Sequence, residues 1–184
     1  IHHYRSTALP LDILITLPDD GTTACGIGVV RYSHHPSESE LAMPVITSAN
    51  TKGGVGKTTT AMYLADAYTR AGRDVTVVDL DKQGSASAWA DKAADRGDPL
   101  GFKVEVSNTK RLARVAEAKG ADHVLIVDTP PGDSAVLQGA IDASDFVIIP
   151  VSPSELDTDR VWETIPTVRE DQLYGVLVLS LIHI

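Results

Sequence analysis

One cysteine, Cys25, stands among 184 residues, so the chain can form no internal disulfide and no multi-cysteine metal cage. Aromatic residues make up only 5%, and a core must therefore be built from Val, Ile, Leu and Ala. No apolar run reaches the length of a membrane-spanning helix, and Ile1–Arg5 leads into no long apolar region of a secretory signal. Basic excess is missing as well. The net charge of −9 argues against a surface that coats nucleic acid throughout, and leaves room for a local basic patch. What remains is the balance of a globular protein, 43% hydrophobic and 22% charged, with room for one domain and a sizeable core. A cytoplasmic protein fits these bounds.

The chain is organised around Ala49-Asn50-Thr51-Lys52-Gly53-Gly54-Val55-Gly56-Lys57-Thr58-Thr59-Thr60. The run 44–48 before it reads as a strand. After it Ala61, Leu64, Ala65, Tyr68 and Ala71 recur at helical spacing, with Gly72 as the stop. Strand, glycine-rich loop and helix make the setting that a phosphate-binding loop requires. Glycines let successive N–H groups converge on one concavity, and the helix points its positive end at the same place. Lys57 offers a charge to the β- and γ-phosphates, and Thr58 offers a hydroxyl to Mg2+. Lys52, Gly53, Gly54, Val55, Gly56 and Thr59 complete the expected ATP-binding loop. A glycine-rich turn with two solvated lysines is the plainer alternative, and it accounts for neither flank.

Further along, 75–78, 102–106, 124–127, 146–149 and 173–181 read as strands, with 102–106 at an edge. Helices are expected over 86–96, around Leu112 to Gly120, over 135–143 and over 159–168, the last bent or ended by Pro166. Continuous apolar strands alternating with helices predict an α/β fold, a mostly parallel sheet flanked by helices on both faces. The carboxyl ends of its strands then share one edge, where ligands bind. Three such ends bring chemistry to that edge: the loop with Lys52, Lys57 and Thr58, then Asp79 with Asp81, then Asp128. An Asp at a strand end is commonly a helix cap; beside a phosphate loop it is the carboxylate that holds Mg2+, directly or through water.

The usual loop pattern, Gly, four residues, then Gly-Lys-Ser/Thr, is not met, because Thr51 stands at its first glycine and a second lysine, Lys52, opens the loop. Lys-Gly-Gly-Val-Gly-Lys-Thr-Thr resembles the deviant Walker A motif of the ParA/MinD family of ATPases. Asp79-Leu80-Asp81-Lys82-Gln83-Gly84-Ser85 resembles the Walker A′ element of ParA proteins, which usually has Pro where this chain has Lys82. The resemblance runs from Met43 to about Leu179 and includes Ile149–Asp157. It implies the deviant P-loop (SIMIBI-like) fold, with ATP and Mg2+ and a weak, partner-stimulated ATPase. Lys52 would reach across a dimer interface to the partner subunit's nucleotide, and Asp81 would orient or activate the attacking water. Thr58, Asp79 and Asp128 would form the magnesium shell, partly through water. Thr129-Pro130-Pro131-Gly132-Asp133 lies where such ATPases sense the γ-phosphate.

Carried further, the resemblance implies an ATP-dependent homodimer that binds DNA without sequence preference, works with a ParB-like centromere-binding protein, and segregates plasmid or chromosome DNA as a nucleoid-associated bacterial protein, with no membrane step. Two other readings share the scaffold. A MinD-like membrane-cycling ATPase needs a C-terminal amphipathic basic helix, which would lie past the expected truncation. An ATP-dependent synthetase of the dethiobiotin type would turn over ATP only with a small carboxylic or amino substrate. The nitrogenase iron-protein type fails, since the chain from Met43 onward has no cysteine to hold a cluster. Residues 1–42 are expected to be an extension foreign to the fold, with candidate strands at 11–17 and 26–32 and solvated pairs His2-His3 and His34-His35. Residues 43–179 are expected to form the ATPase domain, C-terminally truncated, and 180–184 a foreign tail.

Overall fold

A computed structural model describes residues 45–119, 123–152 and 161–179. The expectations for the first 44 residues, for Ser154–Asp157, for the helix start at Asp159 and for the tail from 180 lie outside these. Six strands are present: β1 Val45–Ser48, β2 Asp74–Asp79, β3 Lys103–Val106, β4 His123–Asp128, β5 Phe146–Val151 and β6 Leu173–Val178. Among these residues lie α1 Lys57–Arg70, α2 Ser85–Asp95, α3 Thr109–Lys119 and α4 Ser134–Asp142, with a further helical stretch at 161–164. The strands form one sheet in the order β3-β2-β4-β1-β5-β6, and every pairing is parallel. β3 is an edge, as its alternating pattern predicts.

The core follows from the two-residue period of strand side chains. Ile46, Val75, Val77, Val124, Ile126 and Ile148 point to one face, where Ala61, Leu64 and Ala65 of α1 cover them. Val45, Val78, Leu125 and Val127 point to the other, against Leu112 of α3 and Ala140 of α4. Val147 and Ile149 extend that second face to Leu137 and Ile141 of α4. Both faces of the central strands are thus dry, which is why β4 is buried at every position and its sequence runs apolar without alternation.

Element ends shift by a few residues from the reading of the sequence, and two of the shifts bear on the β5–β6 side of the sheet. Residues 161–164 are helical and pass into a 3-10 turn, Ile165–Thr167, because Pro166 lacks the N–H that would continue the ladder. β6 stops at Val178 rather than 181; the Leu179 N–H still bonds to the Val151 carbonyl at 2.7 Å. Among the described residues no helix is long and apolar enough to cross a membrane.

For the site, the register is what counts. Ser48 of β1 pairs with Asp128 of β4, and Asp128 pairs with Asp79 of β2. Three neighbouring strands end level with one another, and their loops leave from the same edge.

Candidate functional site

The loop between β1 and α1 is stitched at its base. Asn50 is fully buried; its Nδ2 donates to the Pro150 carbonyl at 2.8 Å, and its Oδ1 accepts from the Lys52 N–H at 2.9 Å. Ser48 Oγ donates to the Lys57 carbonyl at 3.0 Å, which holds the start of α1 over the end of β1. Gly54 and Gly56 take left-handed φ values of 76° and 90°, a region that favours glycine strongly. At Gly56 space demands it too, since a Cβ there would sit 2.5 Å from Leu179 Cδ1. Gly56 also caps α1 with no side chain, and the first turn carries no acid. The free N–H groups and positive end of α1 are therefore left for an anion from outside.

Charge is concentrated beneath this loop. The Lys57 side chain is buried, and its Nζ donates to the Lys52 carbonyl at 2.7 Å, bridging the loop's two ends. Burial pulls the Lys57 ammonium below its usual range, against the attraction of Asp128 and Asp81. Thr58 Oγ1 donates to Asp128 Oδ2 at 2.7 Å. Asp128 is fully buried, and its other oxygen, Oδ1, has no hydrogen-bond partner. Burial pushes its carboxyl up to about 7; the Thr58 hydrogen bond and Lys57 pull it down, while Asp79 and Asp81 push it further up.

A buried carboxylate oxygen without a donor is costly, by about 1–3 kcal/mol or more, and a hard cation would relieve it. Among the described residues no three His, Cys, Asp or Glu side chains form a ready-made metal cluster. Mg2+ needs no such cluster: it keeps most of its water and takes one or two carboxylates plus phosphate oxygens. Asp128 and the Thr58 hydroxyl fit such an ion.

Asp79, expected in the magnesium shell, has both carboxylate oxygens engaged within the chain. It is fully buried; Oδ1 accepts from the Asp81 N–H at 3.0 Å, and Oδ2 from the Ser87 N–H at 3.1 Å and Ser87 Oγ at 2.9 Å. It fastens the Asp81 loop and caps α2 from the strand below, because Gly84 at the cap position has no side chain to do so. Asp81 is half-buried, and its Oδ1 accepts from the Gln83 N–H at 2.9 Å, a tight local turn that holds the carboxylate at the edge.

The loop after β4 leans on the phosphate loop. Thr129 Oγ1 donates to the Ser48 carbonyl at 2.7 Å, the Gly132 N–H to the Thr51 carbonyl at 3.3 Å, and a Cβ on Gly53 would touch Pro131 at 3.4 Å. All the residues expected in the site reach this one edge, with Lys52, Gly53 and Gly54 exposed upon it and Val55 buried under it. The sequence reading missed the supports. Ser48, Asn50, Ser87 and Leu179 carry no motif signal; an Asn directly after a strand is the one cue, as such side chains bond to their own backbone two residues on.

Residues 46–180 match the family model described as the CobQ/CobB/MinD/ParA nucleotide binding domain. Among curated proteins, the maintenance of carboxysome distribution protein A of Gloeobacter kilaueensis is 41% identical over 122 residues, which cover 66% of this chain and 55% of that protein. The chromosome-partitioning ATPase Soj of Thermus thermophilus is 30% identical over 152 residues, covering 68% and 61%. The chain thus spans 55% and 61% of these two relatives. Among solved structures, a cobyrinic acid a,c-diamide synthase from Mycobacterium smegmatis with bound ADP and magnesium superposes with a TM-score of 0.56 at 27% identity, over 68% of this chain and 66% of that one.

Proposed function

The chain belongs to the CobQ/CobB/MinD/ParA family of nucleotide-binding domains, on its ParA side, and from that premise we propose that it is the nucleotide-binding part of a partition or positioning ATPase that acts as an ATP-dependent dimer. The observation that carries this reading is the arrangement of Lys57, Thr58 and the partnerless Asp128 Oδ1 under an uncapped helix start. An anion above and a cation between would fit that arrangement.

In this reading the N–H groups of Gly53 to Thr59 cradle the triphosphate, and Lys57 exchanges the Lys52 carbonyl for phosphate oxygens. Thr58 and Asp128 hold Mg2+, which when bound supplies charge neutralisation to the phosphates. Asp81, fixed by Asp79, orients the attacking water. Lys52, at the exposed lip of the loop, completes the site of a second copy, so that ATP joins two subunits and hydrolysis parts them. The dimer binds DNA without sequence preference, and a ParB-like protein accelerates a slow turnover. The setting is the bacterial cytoplasm, at the nucleoid.

ATP turnover and oligomeric state, measured with and without non-specific DNA for the wild type and Lys52→Ala, test this. ATP-dependent dimers and DNA-stimulated turnover, both lost in Lys52→Ala, are expected. Monomers in ATP with unchanged Lys52→Ala turnover would refute the switch. A second reading is favoured by the synthase structure at 27% identity: an ATP-dependent synthetase, marked by turnover indifferent to DNA and dependent on a small carboxylic substrate.

A further inference from the structure

α3 carries charge that the fold does not use. In a chain of net charge −9, Lys110, Arg111 and Arg114 stand exposed on it. Leu112 is fully buried and Val115 packs half-buried beside it, so the apolar positions decide which side of α3 looks outward. At 100° per residue the three cations fall within about 100° of one another, with Lys110 opposite the buried side. None of the three side chains has an ion pair or hydrogen bond among the described residues.

The acids described nearby are otherwise engaged; Glu117, three residues after Arg114, lies outside the described side chains. α4, on which α3 packs, carries only Asp142, at its far end, where Gln138 donates to it, and its cap Asp133 accepts from the Val136 N–H. Glu105 on β3 already has a partner. Lys110 and Arg111 also occupy the first turn, which contains no acid. A helix start is positive, and cations there oppose its formation. The start itself is firmly placed: a Cβ on Gly139 of α4 would lie 3.2 Å from Thr109 Cβ, and Ser107 N–H bonds to the Asp79 carbonyl at 3.1 Å. Three cations without a partner among the described residues thus stand on a helix that starts beside the nucleotide edge, at a loss to that helix.

We propose that this outward face of α3 docks on the phosphate backbone of duplex DNA. The inference rests on the DNA-binding reading above and gives it a place on the molecule. Duplex DNA offers a charge about every 1.7 Å of axis, so phosphates lie within reach of all three side chains in any register. All three are residue types that contact phosphate oxygens, and such contacts carry no sequence information. A lipid surface would require large apolar side chains among the cations; Leu112 and Val115 are turned into the core.

The test is a salt series of duplex DNA binding by the full chain with ATP and Mg2+, wild type against K110Q/R111Q/R114Q. The log-affinity against log-salt slope should fall in magnitude by about 2.7 for the triple variant and about 0.9 for R114Q alone. The loss should be equal on unrelated sequences, with the melting temperature unchanged or raised and basal ATP turnover unchanged. An unchanged slope and affinity in the triple variant would overturn the assignment of this face while leaving the DNA-binding reading in place. A wild type that fails to bind DNA would overturn both. Poly-glutamate and anionic vesicles run alongside as controls; an equal or greater loss on either would reassign α3 to an acidic polypeptide or a membrane and overturn the proposal.

Discussion

Thr58 and Asp128, 70 positions apart in sequence, are joined by a 2.7 Å hydrogen bond that closes the floor of the phosphate loop on the end of β4. The bond satisfies one oxygen of a carboxylate whose other oxygen has no partner. The result is a buried acid with its carboxyl at about 7 against an ordinary 3.8.

That shift has a definite sign. Between pH 4 and pH 7 the folded chain holds a proton on Asp128 that the unfolded chain has released, so stability falls as pH rises through this window. Asp128→Asn removes the burden. Without Mg2+ the variant should melt higher than wild type at pH 8, by an effect on the order of a few kcal/mol, and the gain should shrink toward pH 4. Its ATP turnover should be lost. Thermal melts at four pH values check the first part and a phosphate-release assay the second.

Lys57 presents the same tension with opposite charge. Its ammonium is pulled down by burial, so holding it charged near pH 7 works against folding. Lys57→Met should leave the melting temperature unchanged or raised, while ATP turnover falls at least about a hundredfold, the effect of removing one preorganised charge from a reacting phosphate. A variant that unfolds instead would make the lysine structural.

Asp79→Ala should destabilise the chain more than Ser87→Ala. The first strips the acceptor from the Asp81 N–H, the Ser87 N–H and Ser87 Oγ together; the second removes only the hydroxyl. About 2–4 kcal/mol is expected for the first and about 1 kcal/mol for the second, from the worth of buried hydrogen bonds to a charge. Urea denaturation of the two variants decides it. Equal losses would show that the backbone contact of Asp79 with α2 contributes nothing.

Gly56→Ala meets two obstacles, the left-handed backbone at φ 90° and the Leu179 methyl 2.5 Å from the new carbon. A double-mutant cycle separates them. Leu179→Ala should recover the steric part and leave about 1–2 kcal/mol of backbone strain. Complete recovery would mean that the loop's shape does not depend on glycine at this position.

Much of this molecule could be read before any coordinates. The phosphate loop is legible because its glycines, lysine and threonine are adjacent in sequence, and the sheet because strands buried on both faces leave continuous apolar runs such as Val124–Val127. The hydrogen bonds of Asp79 were not legible. Its partners lie two and eight residues ahead, and a carboxylate that caps a helix from beneath looks in sequence like one that holds a metal. Asn50 and Leu179 were hidden for a related reason: Asn50 reaches Pro150 and Leu179 lies against Gly56, contacts that exist only once β1, β5 and β6 lie side by side.

α2 fully buries a single residue, Ala86, whereas α1 buries Ala61, Met62, Leu64 and Ala65 among others. Segments with so little buried surface open far more often than the core does. The amide hydrogens of α2 should therefore exchange with solvent well ahead of those in α1 and β4. Each opening would release Ser87 from Asp79 and slacken the turn that holds Asp81. A helix that gives way ahead of the core thus lies beside the carboxylate that has to be in place for chemistry.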